Sequence, residues 1–283
     1  MSTIADSNAF RDRDRLLPQH QAALTLLQAR LSDPETTGLS WLDLACGRGQ
    51  IILSLDTNLS GQARGKISFC AYDIDQQYAR ETERAAARLK FADLRVHVGA
   101  LSDFNQILPP AMRFDFITLN NTVHEIEPSH LAELLASCLG RLTNTGRLFI
   151  YDMDRITPHE LGAIPWTRDD MRRIVHRLLD ALGASEYRPE IGLWNHRTCN
   201  GWNVQIERHH LRVSPEQLLE RAKDAVRAAS EEILNLMRRR LSDCRSSLET
   251  LTKFGAQTEE EEREKEGLLY ELWALSRALE RAG

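Results

Sequence analysis

The sequence predicts an α/β fold with a mostly parallel sheet that ends in an antiparallel hairpin, followed by a C-terminal α-helical hairpin. Through the middle of the chain, short apolar runs alternate with helical patterns, as in the strand–helix units of a parallel sheet. An Asn200-Gly201 step separates the last two runs and favours a tight turn between antiparallel strands. Beyond Ser214, apolar residues recur at coiled-coil spacing, which predicts two long helices.

The chain of 283 residues is long enough for one sizeable α/β domain and an appendage. Pro18 is expected where the first helix starts or is interrupted, because proline lacks a backbone N–H. Ser214-Pro215 has the pattern of a helix cap followed by proline at the first helical position. We therefore expect three segments: an N-terminal helical segment (1–34), an α/β domain (35–213) and a helical hairpin (214–283).

Composition excludes several classes of protein. The formal net charge of −5 argues against a broadly basic surface for nucleic acid. No apolar run approaches the roughly 20 residues that cross a bilayer, and the N-terminus lacks the pattern of a secretory signal. The five cysteines form no Cys-x-x-Cys pair, which fits reduced thiols. We expect a cytoplasmic protein without a membrane partner.

The fold is organised around a strand, a glycine turn and a helix start in the stretch from Trp41 to Leu55. Asp43 ends the apolar run, and Gly47 and Gly49 follow in the turn. Glycine permits positive φ and has no Cβ, so the backbone can lie against a bound molecule. The helix start near Gln50 offers unpaired N–H groups that suit a carboxylate or a phosphate. A Gly-x-Gly pair alone also fits a purely structural turn, so the neighbouring strands must decide.

Polar residues follow the other predicted strands. Asp73 ends the second strand, Gly99 and Asp103 follow the third, and Asn120 follows the fourth. The predicted strands after the first are 66–73, 94–98, 114–119, 146–151, 190–196 and 202–210.

Taken together, these pieces resemble the class I S-adenosylmethionine-dependent methyltransferases over about residues 35–213. No single motif is specific, but five stand in the family's order. They are Asp43-Leu44-Ala45-Cys46-Gly47-Arg48-Gly49, Asp73-Ile74-Asp75, Gly99-Ala100-Leu101-Ser102-Asp103-Phe104, the segment 114–117 through Asn120-Asn121, and the segment 146–150. The C-terminal helical hairpin lies outside the family core.

The resemblance implies a Rossmann-like fold and S-adenosyl-L-methionine as the cofactor. Asp73 would accept hydrogen bonds from both ribose hydroxyls, and Asp103 from the adenine amino group, with Phe104 or Leu101 against the ring. The family more often has an acidic residue where this chain has Ala100. Asn120 would lie beside the sulfonium. The cofactor-binding residues that the resemblance implies are Asp43, Ala45, Gly47, Gly49, Asp73, Ile74, Leu101, Asp103 and Asn120.

Methyl transfer from a sulfonium is an in-line displacement, in which well-held reactants can gain about 7–11 kcal/mol. Only an acceptor with a poorly acidic proton also needs a base. His124 and Glu125, just after Asn120-Asn121, are the candidates for catalysis, and an imidazole can take a proton at neutral pH. The alternative for His124 is a hydrogen-bonded cap or surface residue.

The acceptor is expected to be a small molecule. The alternatives are an RNA or protein acceptor, or a non-catalytic methyltransferase-like scaffold whose helical hairpin (214–283) binds a second copy or another protein. Methyltransferases of DNA base amino groups usually carry Asn- or Asp-Pro-Pro-aromatic after the fourth strand, which Asn120-Asn121-Thr122-Val123 does not match. An NAD-type dehydrogenase is disfavoured, because Ile52 stands at the third glycine position of Gly-x-Gly-x-x-Gly.

Two further groups of residues can be explained by structural roles as well as by functional ones. Four aromatic residues either line an acceptor pocket or pack in the core. Adjacent pairs such as His209-His210 would point apart in a strand, so no metal is expected. The four aromatic residues are Tyr151, Trp166, Trp194 and Trp202.

Overall fold

The computed structural model describes residues 18–156, 160–196, 199–255 and 258–282. Within these ranges, seven strands form one sheet in the order β3-β2-β1-β4-β5-β7-β6. The pairs β1/β2, β1/β4, β2/β3 and β4/β5 are parallel, and the end strands are antiparallel, which confirms the predicted α/β fold. The strands are β1 (Leu39–Leu44), β2 (Ile67–Asp73), β3 (Asp93–Val98), β4 (Phe114–Asn120), β5 (Leu142–Met153), β6 (Ile191–His196) and β7 (Cys199–Glu207).

Among the described residues, six helices are longer than two turns: α1 (Pro18–Ser32), α2 (Gln76–Ala87), α3 (Pro128–Gly140), α4 (Arg168–Leu182), α5 (Pro215–Phe254) and α6 (Glu259–Ala282). Pro18 is the first residue of α1 in the described chain, and the part of the predicted first helix before it lies outside the described residues. Single-turn α-helices occupy Gln50–Leu53, Leu55–Asn58, Gly61–Arg64 and Phe104–Ile107. Turns of 3₁₀ helix occupy Leu101–Asp103, Val123–Glu125 and Arg208–Leu211. In the described ranges, no helix has the length and apolarity to cross a membrane.

The burial of each strand follows its place in the sheet. β1 lies between β2 and β4, and five of its six residues are buried, as expected for a strand covered on both faces. β3 is at the edge, and none of its residues is fully buried. Apolar sequence therefore concentrates in the central strands, whose ends carry the polar residues described below.

The chain divides into two compact units. The first comprises Met1–Asn120, Ser137–Tyr151 and Val204–His210. Its core includes an aromatic cluster around Trp41, with the Phe69 ring centroid at 4.9 Å and the Phe116 centroid at 6.1 Å. The second comprises Asn121–Ala136, Asp152–Asn203 and Leu211–Gly283, and includes α4, α5 and α6.

In the second unit, α5 packs against both α4 and α6. A capping box starts α5, because Ser214 accepts a hydrogen bond from the Gln217 N–H and the Gln217 side chain accepts one from Ser214 N–H. The buried side chains of the apolar stripes include Ile233, Leu236 and Met237 on α5 and Leu275 on α6. The apolar residues that recur at coiled-coil spacing beyond Ser214 are thus covered in large part within the same unit.

Polar contacts attach α6 to the rest of the second unit. Arg240 on α5 forms an ion pair with Glu271 on α6 and donates to the Pro165 carbonyl at 2.9 Å. The Tyr270 hydroxyl accepts from Gly162 N–H at 2.7 Å, and Arg281 pairs with Glu127 at 2.8 Å. The C-terminal helix is therefore held against the loop segments that precede α3 and α4.

Candidate active site

Asp43 near the end of β1 is held by a neighbouring strand. The register pairs Asp43 with Thr118 of β4, and the Thr118 hydroxyl donates to Asp43 Oδ1 at 2.6 Å. The Trp41 indole N–H in turn donates to that hydroxyl at 2.8 Å, which fixes its direction. The pKa of Asp43 is raised to about 7, because burial and, to a lesser degree, the charge of Asp73 outweigh the opposing effect of the Thr118 hydrogen bond. Asp43 is thus a carboxyl that a nearby cation would ionise.

The turn after β1 reaches Asp73 through Gly47. Gly47 N–H donates to Asp73 Oδ2 at 2.7 Å, and the Gly47 carbonyl accepts from the Thr82 hydroxyl at 2.8 Å. Gly47 has φ +53°, and a Cβ built on it meets no atom within 4 Å. The backbone at Gly47 is therefore held from one side and open on the other, as a cradle for a ligand requires.

Gly49 has a different environment from Gly47. Its φ is +75°, and a Cβ there would lie 3.0 Å from Thr82 Oγ1 and 3.2 Å from an Ile52 carbon. Packing against Thr82 and Ile52 therefore favours glycine at this position, and the expected role of Gly49 in ligand approach stays a prediction. Ala45 is also left-handed, at φ 52°. The helix that follows is a single turn, so less helix dipole faces the turn than the sequence argument assumed.

Asp73 at the end of β2 lies beside an exposed apolar residue. Its Oδ1 accepts from Asp75 N–H at 2.8 Å, and the residue is 6% exposed. Burial raises the pKa of Asp73, and the backbone hydrogen bonds from Asp75 and Gly47 oppose that rise. Each carboxylate oxygen has two lone pairs, so acceptor capacity remains for further donors. Ile74 is 72% exposed, so its side chain is free to pack against a bound ligand.

The segment after β3 carries Leu101 and Asp103 on one 3₁₀ turn. The Asp103 carboxylate is exposed and accepts from the Ser102 hydroxyl at 3.0 Å. Phe104 is 1% exposed and packs edge-on to Tyr72, so it belongs to the core and leaves Leu101 as the candidate for ring contact.

Arg141 holds the part of the same segment that follows the 3₁₀ turn. Its guanidinium donates to the carbonyls of Asn105, Leu108 and Pro109 at 3.0, 3.1 and 2.8 Å. Burial lowers the pKa of Arg141, with a further contribution from the charge of Arg113. The segment is thus preorganised by a buried cation that satisfies its carbonyl groups.

The first unit brings the expected cofactor-binding residues together at the carboxyl ends of β1 to β4. Strand register places Leu44 beside Tyr72 on one side and Leu119 on the other, so Asp73 and Asn120 flank the turn after β1. The set comprises two buried carboxyls, an open glycine backbone and an exposed aliphatic side chain. These groups suit the ammonium, hydroxyl and flat ring groups of an adenosyl amino acid, and the residues therefore fit S-adenosylmethionine.

His124 and Asp152 form a buried pair in the second unit. His124 Nδ1 lies 2.6 Å from Asp152 Oδ1, and the backbone N–H of His124 donates to Asp152 Oδ2 at 2.9 Å. The two side chains are 2% and 1% exposed. Because Nδ1 is engaged by a carboxylate, the other ring nitrogen, Nε2, is the one available for chemistry.

Two more carboxylates surround His124 Nε2. Glu160 Oε2 lies 3.5 Å away and Glu125 Oε1 lies 3.8 Å away. Burial lowers the pKa of His124, but the hydrogen bond and charge of Asp152, with the charges of Glu125 and Glu160, outweigh it and raise the pKa above its ordinary value. His124 is therefore a stronger base than a free imidazole.

Within the described residues, two His–Glu groups bring ligand-type atoms within 4.8 Å of one another: His124 with Glu125 and Glu160, and Glu207 with His209 and His210. In the first group, protonated His124 itself supplies a positive charge among the carboxylates. His209 and His210 lie in a 3₁₀ turn rather than in the predicted strand, and their rings approach to 4.0 Å.

Asp152 and Glu160 were not predicted from the sequence as partners of His124. Asp152 had a signal in the sequence, because it directly follows the predicted strand 146–151, as Asp73 ends the second strand. Glu160 had none. Three of the four aromatic residues weighed as pocket lining are core instead: Tyr151, Trp166 and Trp202 are at most 3% exposed, and the Trp202 indole donates to the Trp166 carbonyl.

Residues 42–148 match the family model described as a methyltransferase domain. With the sheet order and the site described above, these residues form a class I S-adenosylmethionine-dependent methyltransferase domain.

Two solved structures illustrate the fold. One is a magnesium protoporphyrin IX methyltransferase from Synechocystis PCC 6803 with bound S-adenosylhomocysteine, 13% identical, covering 72% of this chain and 95% of that chain with a TM-score of 0.50. The other is a plantazolicin methyltransferase, also 13% identical, covering 70% of this chain and 88% of that chain with a TM-score of 0.50. At such identity the likeness concerns the fold alone. A search of the curated proteins finds no match.

Proposed function

We propose that this enzyme transfers the methyl group of S-adenosylmethionine to a small-molecule acceptor, with His124 as the general base and Asp152 as its positioning residue. The observation that carries the proposal is the two-point contact of Asp152 with His124, at 2.6 Å to Nδ1 and 2.9 Å to the backbone N–H. A buried carboxylate on one ring nitrogen fixes the tautomer that leaves the other nitrogen able to accept a proton.

The cofactor-binding part of the proposal rests on the first unit. Asp73 accepts hydrogen bonds from the ribose hydroxyls, and Asp43 balances the charge of the amino group. Ala45 and Gly47 form the backbone cradle for the ligand, and the packing of Gly49 sets the shape of that cradle. Ile74 and Leu101 cover the adenine, and Asp103 accepts from its amino group. Asn120, at the end of β4, is the last of the proposed cofactor-binding residues. When bound, S-adenosylmethionine supplies the electrophilic methyl group.

The base restricts the kind of acceptor. A thioether or a tertiary amine loses no proton when it is methylated, so it needs no base. A hydroxyl, a protonated amine or a carbon acid must lose a proton, and proton transfer to a positioned base contributes typically about 10²–10⁴-fold. In this chain His124 Nε2 takes that proton. Glu125 is 60% exposed at its side chain and acts on the base through its charge.

The test begins with calorimetry. The full chain is expected to bind S-adenosylhomocysteine, and Asp73→Ala to abolish the heat of binding, because it removes the acceptor of the ribose hydroxyls. Asp56→Ala is the matched control, since Asp56 is an exposed carboxylate of the same unit, paired with Arg64. Absence of binding by the unmodified chain would remove the cofactor assignment.

A panel of small hydroxyl, amine and carbon-acid compounds, followed by the release of S-adenosylhomocysteine, then tests the acceptor class. Turnover of RNA or protein preparations with no turnover of any small molecule would contradict the proposal.

Self-association through 214–283 is a separate proposal. Its support is the exposure of apolar side chains within 214–283, among them Leu219 at 79%, Phe254 at 69% and Leu269 at 50%. Light scattering of the full chain tests it, and a monomeric mass at micromolar concentration would exclude it.

A further inference from the structure

The second unit contains a cavity of about 470 Å³ beside the His124–Asp152 pair. One wall is formed by the turn 125–128 and the segment 160–164, and the other by α6. The first wall is continuous with His124, because Ile164 N–H donates to the His124 carbonyl at 2.8 Å. The volume of the cavity falls within the roughly 300–1,000 Å³ range of small-ligand sites.

The two walls carry opposite charges. Glu125 and Glu160 belong to the wall next to His124, whereas Arg277 and Arg281 project from α6. Arg281 is paired with Glu127 at 2.8 Å. Arg277, by contrast, forms no ion pair with a carboxylate of residues 18–156, 160–196, 199–255 or 258–282. The charge of Arg277 therefore remains available to a ligand.

Arg277 is held in place by an aromatic residue of the same wall. Its guanidinium carbon lies 5.3 Å from the ring centroid of Trp273, which also lines the cavity and is 37% exposed. Stacking engages the face of a guanidinium and leaves its N–H edge for a carboxylate, sulfonate or phosphate. Trp273 and Arg277 thus offer an aromatic surface next to a directed anion-binding group.

We infer that the acceptor is an aromatic anion, an inference that rests on the proposed function. Its ring packs on Trp273, its anionic group binds Arg277, and its reactive group extends toward His124. Glu125 and Glu160 repel the anionic group from the base, so the charges of the two walls allow one orientation only. Helix α6, which lies outside the matched methyltransferase domain, is then the element that selects the acceptor.

The test uses 1-anilinonaphthalene-8-sulfonate, an aromatic sulfonate, as the probe with the full chain. Binding is followed by probe fluorescence and by energy transfer from tryptophan. Arg277→Gln is expected to weaken probe binding about tenfold, the loss of one charge-assisted hydrogen bond. Trp273→Phe is expected to reduce energy transfer. Arg263→Gln is the matched control, because Arg263 is an exposed arginine of the same helix, paired with Glu259 and outside the cavity.

Probe affinity in Arg277→Gln equal to that of the unmodified chain would overturn the inference, as would an equal loss in Arg263→Gln. Calorimetry with S-adenosylhomocysteine on the same samples separates the two proposals. Unchanged cofactor binding with unchanged probe affinity in Arg277→Gln refutes the acceptor class and leaves methyl transfer standing. Loss of cofactor binding by the unmodified chain refutes the proposed function, whatever the probe shows.

Discussion

Asp152 contacts His124 at two points, with Oδ1 2.6 Å from the ring Nδ1 and Oδ2 2.9 Å from the backbone nitrogen. Both side chains are buried, so water does not compete for either contact. The carboxylate therefore fixes the position of the 3₁₀ turn Val123–Glu125 as well as the ring that the turn carries.

Asp152→Asn is expected to lower kcat by at least about 100-fold while leaving the affinity for S-adenosylhomocysteine within about twofold, because an amide no longer selects the tautomer with a basic Nε2. Steady-state kinetics and calorimetry measure the two quantities. Asp169→Asn, at an exposed carboxylate in the first turn of α4, is the control and should retain activity. Full activity in Asp152→Asn would refute the role of Asp152 as the positioning residue.

The raised pKa of His124 predicts the pH profile. The base must be unprotonated, so kcat/KM should rise with pH and level off above a pKa that exceeds 6.5. Glu160→Gln removes one of the carboxylates facing Nε2 and should move the rise to lower pH, since it removes a charge that favours the protonated ring. A profile that is flat between pH 6 and 9 in both proteins would contradict the assignment.

The raised pKa of His124 also affects the stability of the fold, which should fall as pH rises whereas activity should increase. His124 has a higher pKa in the folded than in the unfolded chain, so its contribution to the free energy of unfolding is complete below about pH 6.5 and is lost as pH rises through the folded value. Urea unfolding at several pH values measures this loss. His124→Asn should remove it, and an unaltered pH dependence in that variant would argue against the shift.

Asp43 should make the cofactor-free enzyme less stable at neutral pH. Its pKa rises from 3.8 to about 7 on folding, so the unfolded chain ionises first and stability falls between pH 4 and 7. The full shift corresponds to about 4 kcal/mol at 1.36 kcal/mol per pKa unit. Asp43→Asn should recover much of that at pH 8 and weaken cofactor binding. Equal unfolding free energies of the two proteins at pH 8 would refute the prediction.

The two glycines of the turn after β1 should respond differently to alanine. Both have positive φ, so each substitution costs about 1–2 kcal/mol in the left-handed region. Gly49→Ala adds a contact 3.0 Å from Thr82 Oγ1 and should lose about 3 kcal/mol in urea unfolding. Gly47→Ala should lose less stability but more affinity for S-adenosylhomocysteine, because its Cβ enters open space where the ligand is expected. If Gly47→Ala lost more stability and Gly49→Ala lost more affinity, the roles of the two glycines would be exchanged.

The fold was predictable because its signals are local. Buried strands such as β1 and β4 appear as continuous apolar runs, and helix starts carry caps such as Ser214. On the cofactor side of the site, each candidate stands at the end of its own strand, and parallel strands bring their carboxyl ends to one edge. Alternation along the chain therefore placed Asp43, Asp73 and Asn120 together before any contact was known.

The sequence by itself determined the α/β class, the strand ends that carry the cofactor-binding candidates, and His124 as a candidate base, because periodicity and motif spacing are properties of short stretches. Only the tertiary structure decided that Asp152 and Glu160 surround His124, that Gly47 is open while Gly49 is packed, and that α6 forms a wall of the cavity. These relationships join residues distant along the chain. They depend on register, loop path and side-chain packing, which no local pattern encodes.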